Sequence, residues 1–306
     1  MAMGLLIEAK HLFRHYGRYC AVQDVSFTLQ KGQVLGFLGA NGAGKTSIMQ
    51  MLSGNLAATS GQIRINGYDI QKQAKLAKAC LGYLPDTPPL YRELTVDEFL
   101  AYCARLHGVN QPALSNAVSL AKDRCGLTDV GKRLIANLSK GYQQRIGIAQ
   151  AIVHNPAVII LDEPTVGLDP LQIRSIRALI RELGSAHGVI LSTHILSEVQ
   201  ESCSHVQIIH QGQLVMNESI ASLNARMDTS VLLVSTQHKV DLPRLAAIPG
   251  VVAIDCLDNH HLRIQHSLSA NPGPAIAETI IAAGWGLQEI TPIKQSIEDI
   301  FINATH

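Results

Sequence analysis

Gly39-Ala40-Asn41-Gly42-Ala43-Gly44-Lys45-Thr46 fits the spacing G-x-x-x-x-G-K-[ST]. In that pattern successive backbone N–H groups close around an anion, and the glycines let the chain come near it. A helix starting at Lys45 would aim its positive end at the same anion. Lys45 would reach the β- and γ-phosphates of a nucleotide, and the Thr46 hydroxyl would ligate Mg²⁺, with Ser47 next along the same binding segment. A second set of reactive groups stands at Asp162-Glu163, where the apolar run Val158-Ile159-Ile160-Leu161 ends. A buried strand ending there places Asp162 to hold Mg²⁺ through water and Glu163 to orient and deprotonate an attacking water. Phosphoryl transfer needs positioning, metal charge and a water-orienting group, and these segments carry all three.

Such groups work only on a frame that holds them. Gly32 to Gly39 is apolar and bounded by glycines, which predicts a buried strand running into the phosphate loop. A helix is expected over Lys45 to Leu52, and further buried strands over Ala157 to Leu161 and Val189 to Ser192, the last two parted by a helix from Pro170 to Leu183. Gln62 to Ile65 alternates and meets Asn66-Gly67, a hairpin signal. Thr95 to Ile152 reads as helical. Buried strands alternating with helices predict an α/β fold with a largely parallel, covered sheet. After residue 225 the pattern becomes β (Val231–Ser235), α (Leu242–Ile248), β (Val251–Cys256), β (Leu262–His266), α (Pro274–Ala283), β (Gly286–Ile290), then a helix at Ile297–Ile302. That order is ferredoxin-like.

The chain has 306 residues, room for two domains. Its 25 basic and 24 acidic residues give a net charge of +1, which offers no electrostatic case for nucleic acid or an anionic membrane surface. No apolar run approaches the ~20 residues of a membrane helix, and Met1 to Lys10 lacks the pattern of a secretory signal. The six cysteines form no Cys-x-x-Cys pair and read as reduced thiols in a cytosolic setting.

Between the two reactive segments lies Leu138-Ser139-Lys140-Gly141-Tyr142-Gln143-Gln144-Arg145. It resembles the L-S-G-G-Q signature of ATP-binding cassette (ABC) proteins; Lys140 and Tyr142 depart at the third and fifth positions. Ser139 would in any case cap a helix running to Val153. Asp162-Glu163-Pro164-Thr165-Val166-Gly167-Leu168-Asp169-Pro170 looks like that family's run from catalytic acids into a dimer loop at Leu168-Asp169. Ser192-Thr193-His194 is similar to its switch histidine, and Tyr16 to the aromatic residue that stacks on adenine; plain strand packing is the other reading of Tyr16. The resemblance spans residues 5 to 225. It implies a P-loop NTPase core of the ABC ATPase type over 1–225 with a helical subdomain over about 88–155, and a small C-terminal α+β domain over 226–306. It also implies ATP and Mg²⁺ as ligands, Glu163 and His194 as catalytic residues, and a head-to-tail pair of ATPase subunits, the second being another copy of this chain or a close relative. Ser139, Lys140, Gly141 and Tyr142 would then act on the nucleotide held by the partner.

Gly82 to Tyr91, the variant signature and the ending Ser296-Ile297-Glu298-Asp299-Ile300-Phe301 resemble ATPase subunits of ABC-2-type exporters, of the gliding-motility and multidrug style. The resemblance implies a separate membrane-spanning permease, through which this chain, itself cytoplasmic, associates with the inner face of the cell membrane. The competing reading is a soluble ABC ATPase acting on nucleic acid or ribosomes, but the chain has a single cassette and no basic stripe. Asp86 stands where most ABC ATPases have a Gln that senses Mg²⁺ and water. It is either a further metal ligand or a residue that caps the turn with Thr87 and Pro88.

Overall fold

The computed structural model describes residues 4–227, 231–267 and 270–292. In chain order the elements begin with β1 (Leu5–Tyr16), β2 (Tyr19–Gln30), β3 (Val34–Leu38), α1 (Lys45–Leu52), β4 (Ser60–Ile65) and β5 (Tyr68–Asp69). Next come α2 (Ala74–Ala79), β6 (Leu81–Leu84), α3 (Val96–Leu106), α4 (Gln111–Arg124) and α5 (Lys140–Ile152). They continue with β7 (Val158–Asp162), α6 (Pro170–Ala186), β8 (Gly188–Thr193), α7 (Leu196–Ser202), β9 (His205–His210), β10 (Gln213–Ser219) and α8 (Ile220–Met227).

Every residue of β3, β7 and β8 is buried. Side chains alternate across a strand, so such strands need cover on both faces. Val158 and Ile160 pack with Ile7, Leu29, Phe37 and Met49, while Ile159 and Leu161 pack with Phe99, Ile148 and Ile180. The sheet between these two cores has the order β10-β9-β3-β8-β7-β6. Its neighbours pair in parallel from β9 to β6, and β10 closes one edge antiparallel. An antiparallel sheet, β2-β1-β4-β5, contributes to one core together with α1. Helices α3 to α6 contribute to the other.

The long pair β1–β2 has no counterpart in the expectations from sequence. Its register shifts repeatedly, and His11 and Asp24 take left-handed backbone angles (φ 48° and 52°). Such irregularities break the alternation that marks a strand. The helical stretch from Thr95 is also subdivided. A capping box between Thr95 and Glu98 starts α3, and two single 3₁₀ turns at Thr128–Val130 and Ile135–Asn137 separate α4 from α5. Asp162 is the last residue of β7, paired with Ser192 of β8, rather than the first residue beyond the strand.

The chain divides into two compact units after Ile220. The second contains β11 (Val231–Thr236), α9 (Leu242–Ala246), β12 (Val251–Cys256), β13 (His261–His266), α10 (Gly273–Ala282) and β14 (Leu287–Pro292). Its antiparallel sheet has the order β12-β13-β11-β14. Leu232, Val234, Leu262 and Ile264 pack there against Ile276 and Ile280 of α10. The helix expected at Ile297–Ile302 and the segment Ser296 to Phe301 lie outside the described residues. Among the described residues no helix is long and apolar enough to cross a membrane.

One histidine pair ties the helices to the sheet. His154, just beyond α5, donates from Nε2 to the Leu81 carbonyl at 3.1 Å, and its ring stacks on His107 at 3.7 Å. Burial, with His107 as neighbour, pushes the His154 pKa down to about 4. An unfolded histidine titrates near 6.5, so between about 6.5 and 4 the unfolded chain binds more protons. Stability therefore falls as pH drops through that window. Thermal melts from pH 7 to 4 should show this decline, and His154→Gln should flatten it.

Candidate active site

The phosphate loop leaves β3 and enters α1 through Gly44, whose φ of 107° belongs to glycine. A Cβ on Gly44 would stand 2.5 Å from the Ala21 carbonyl oxygen, so β2 closes that side of the loop. Gly44 caps α1 without a side chain, and no acidic residue stands in the first turn. The positive helix end is therefore left uncompensated toward the loop. Lys45 is 6% exposed, and its Nζ donates to the Gly39 carbonyl at 2.7 Å and the Ala40 carbonyl at 3.2 Å. An ammonium has three donors, so one remains for a phosphate oxygen. Burial pulls the Lys45 pKa down, and the Glu163 and Asp162 carboxylates oppose that pull.

A cavity of about 440 Å³ gathers the sequence-derived candidates. Asn41, Gly42, Gly44, Lys45, Thr46 and Ser47 line it together with Glu163, His194, Asp86 and Tyr16, whereas Asp162 does not. Gly39, Ala40 and Ala43 belong to the same loop. Glu163 sits just past β7 with a φ of 49°, unusual for a residue with a side chain and costing about 1–3 kcal/mol. Its N–H donates to the Ser192 carbonyl at 2.9 Å, and its carbonyl accepts from Val166 N at 3.3 Å. His194 Nδ1 donates to the Glu163 carboxylate, 3.0 Å from each oxygen. Lys45 Nζ lies 3.8 Å from Glu163 Oε1. The carboxylate is thus held between an ammonium and an imidazole.

Asp162 is 1% exposed, and no hydrogen bond of ordinary geometry reaches its carboxylate oxygens, although the Ser192 hydroxyl of the paired strand stands close enough to favour their charge. Burial raises its pKa, the Ser192 hydroxyl and Lys45 oppose the rise, and the nearby Glu163 and Asp86 carboxylates add to it. Burial likewise pushes the Tyr83 hydroxyl up to about 12, with Asp162 and Asp86 adding to it. A buried carboxylate with so little hydrogen bonding is costly, and a cation would offset that cost. The donors here are all hard oxygens, from Asp162, Thr46 and Asp86, which suits Mg²⁺ held by one or two carboxylates and completed by phosphate oxygens. The described residues contain no cluster of three or more His, Cys, Asp or Glu able to hold a metal by themselves.

The signature residues lie elsewhere. Ser139 caps α5, accepting from Tyr142 N at 3.5 Å. A Cβ on Gly141 would come within 2.5 Å of the Gln172 side chain, so α5 begins hard against the first turn of α6. Asp169 caps α6, accepting from Gln172 N at 2.9 Å. Lys140 lines a second cavity of about 530 Å³ that shares Asp86 and Val166 with the first. Ser139, Gly141, Tyr142 and Asp169 line neither.

Three residues escape the sequence reading. Tyr19 faces the first cavity across the hairpin tip from Tyr16, and the two are register partners. The signal is Tyr-Gly-x-Tyr, a two-residue turn with Gly17 at φ 60°. Tyr16 is 43% exposed; its hydroxyl lies 3.4 Å from Ser47 Oγ, and the Arg14 guanidinium sits 4.6 Å from its ring centre. Val166 lines both cavities and Glu198 is buried behind the site; neither has a signal in sequence.

The sequence profile of the family described as "ABC transporter" matches residues 22–166. The bacitracin transport ATP-binding protein BcrA of Bacillus licheniformis is 38% identical over 70% of this chain and 69% of its own length. The linearmycin resistance ATP-binding protein LnrL of Bacillus subtilis is 29% identical over 98% of each chain. Among solved structures, one of an ATP binding subunit of an ABC transporter superposes with a TM-score of 0.66 at 30% identity, covering 72% of this chain and 92% of that one.

Proposed function

The chain belongs to the ATP-binding proteins of ABC transporters, and from that membership we propose that it powers an ABC-2-type exporter. In this reading it binds MgATP, pairs head to tail with a second ATPase subunit, and drives a separate permease from the cytoplasmic face of the membrane. The observation that carries the reading is the single cavity in which Lys45, Thr46, Glu163 and His194 converge. The roles named for two relatives, bacitracin transport and linearmycin resistance, support export over other directions. Ser139, Gly141 and Tyr142 line neither cavity on their own chain, and Lys140 lines only the second, which favours their use by a partner subunit.

The chemistry follows from the side chains. Tyr16 offers a half-exposed ring to adenine. The loop N–H groups and Lys45 bind the β- and γ-phosphates. Mg²⁺, when bound by Thr46 and Asp162, would offset phosphate charge. Glu163 takes a proton from the attacking water as the new bond to the γ-phosphorus forms and the bond to ADP breaks. His194 holds the Glu163 carboxylate in place from Nδ1 and keeps Nε2 for the phosphate. Ser139 and Gly141 of the second subunit would close over the same γ-phosphate, with Asp169 at the junction.

The test is purification of the tagged full chain from detergent-solubilised membranes. A multi-span membrane protein should come with it and stimulate MgATP hydrolysis. In that complex Asp86→Ala should keep ATP affinity within about threefold but lose most of the stimulation, because Asp86 borders both cavities and a carboxylate there serves as a hard ligand. Co-purifying RNA with no membrane protein would overturn the transport reading.

A further inference from the structure

Glu198 stands in the first turn of α7, 1% exposed and outside the nucleotide cavity. Its Oε1 accepts from the Thr165 hydroxyl, and its Oε2 accepts from Thr193 Oγ1 at 2.7 Å. Thr193 Oγ1 in turn accepts from Ile195 N at 3.0 Å. Thr165 lies two residues after Glu163, and Thr193 immediately precedes His194. Both threonines are buried, at 3% and 0% exposure.

We infer that Glu198 is a positioning residue for hydrolysis: one carboxylate oxygen anchors the loop bearing Glu163 and the other anchors the segment bearing His194, which fixes the 3.0 Å contact between them. The inference rests on the roles proposed for Glu163 and His194.

The chemistry at the junction calls for this residue type. Two buried hydroxyl donors on separate loops need two acceptors, and an ionised carboxylate accepts only, with one oxygen for each. Gln has one acceptor and an NH₂, so one hydroxyl must turn round. Ala leaves both hydroxyls without their acceptor. A side chain that merely filled this face of α7 would be apolar, like its neighbour Val199 at 1% exposure, because a buried carboxyl group is costly unless it is hydrogen-bonded. The left-handed backbone at Glu163 also needs outside support to persist, and Thr165 supplies an anchor two residues on.

Steady-state ATPase kinetics on the full chain test this, alone and in a His194→Ala background. Glu198→Ala should lower kcat by about 10–100-fold, the scale of a small misplacement of catalytic groups, with KM for ATP within about twofold because the phosphate loop is untouched. Glu198→Gln should recover part of the loss. In His194→Ala protein, compared at that variant's own rate, Glu198→Ala should cost clearly less than in wild type, since the anchor on the His194 segment no longer matters while the one on the Glu163 loop still does. Thr193→Val removes one anchor at nearly constant volume and should show the same kcat-only loss, which keeps the inference testable if Glu198→Ala does not fold. Full additivity in the His194→Ala background, or a raised KM with unchanged kcat, would overturn it. Wild-type ATP binding and turnover, measured alongside, report separately on the proposed function.

Discussion

Glu163→Gln should bind MgATP with nearly unchanged affinity and hydrolyse it about 10²–10⁴-fold more slowly, the contribution of a positioned proton acceptor. The amide keeps the shape of the side chain and its place between Lys45 and His194, but its nitrogen cannot take the proton from water. The phosphate loop does not depend on Glu163 for its conformation, because Lys45 holds the Gly39 and Ala40 carbonyls instead. Single-turnover assays with labelled ATP separate the two effects. A turnover within about threefold of wild type would move the base to another group.

Lys45→Ala should reduce ATP affinity by roughly 100-fold or more. A hydrogen bond to a charged group is worth about 1.5–3 kcal/mol, and each 1.4 kcal/mol is a factor of ten in affinity. The loss is compounded here because Lys45 is the cation that faces Glu163 and Asp162. Without it those two carboxylates would confront the phosphates directly. Titration with a fluorescent ATP analogue measures this, with circular dichroism to show that the variant is folded. Unchanged affinity in folded Lys45→Ala protein would remove the phosphate-loop assignment.

The parallel sheet and the phosphate loop are legible in sequence for a physical reason. Strands covered on both faces must be continuously apolar, as Val158 to Leu161 are, and the loop's spacing is set by the phosphate it wraps. The helix cap at Ser139 is legible because capping is local. The β1–β2 pair is not, since its bulges at Ala9/Leu12 and beyond disrupt the period of two. Glu198 is not legible either. It is separated from Thr165 by 33 residues, and only the adjacency of β7 and β8 brings their loops together. The meeting of Tyr16 with Ser47 is likewise a product of the fold, 31 residues apart in sequence. Local chemistry can be read from the chain, whereas contacts that cross the sheet cannot.

The central proposal is that ATP is hydrolysed between two head-to-tail cassettes, here taken as two copies of this chain, each completing the other's site with Ser139 and Gly141. Size-exclusion chromatography with light scattering on Glu163→Gln protein tests it most directly. With MgATP the protein should run as a dimer, because uncleaved γ-phosphate persists between one chain's Lys45 and the other's Ser139. Without nucleotide, or with Ser139→Arg added to block that contact, it should run as a monomer. A Glu163→Gln protein that binds ATP and remains monomeric at every concentration would contradict the account.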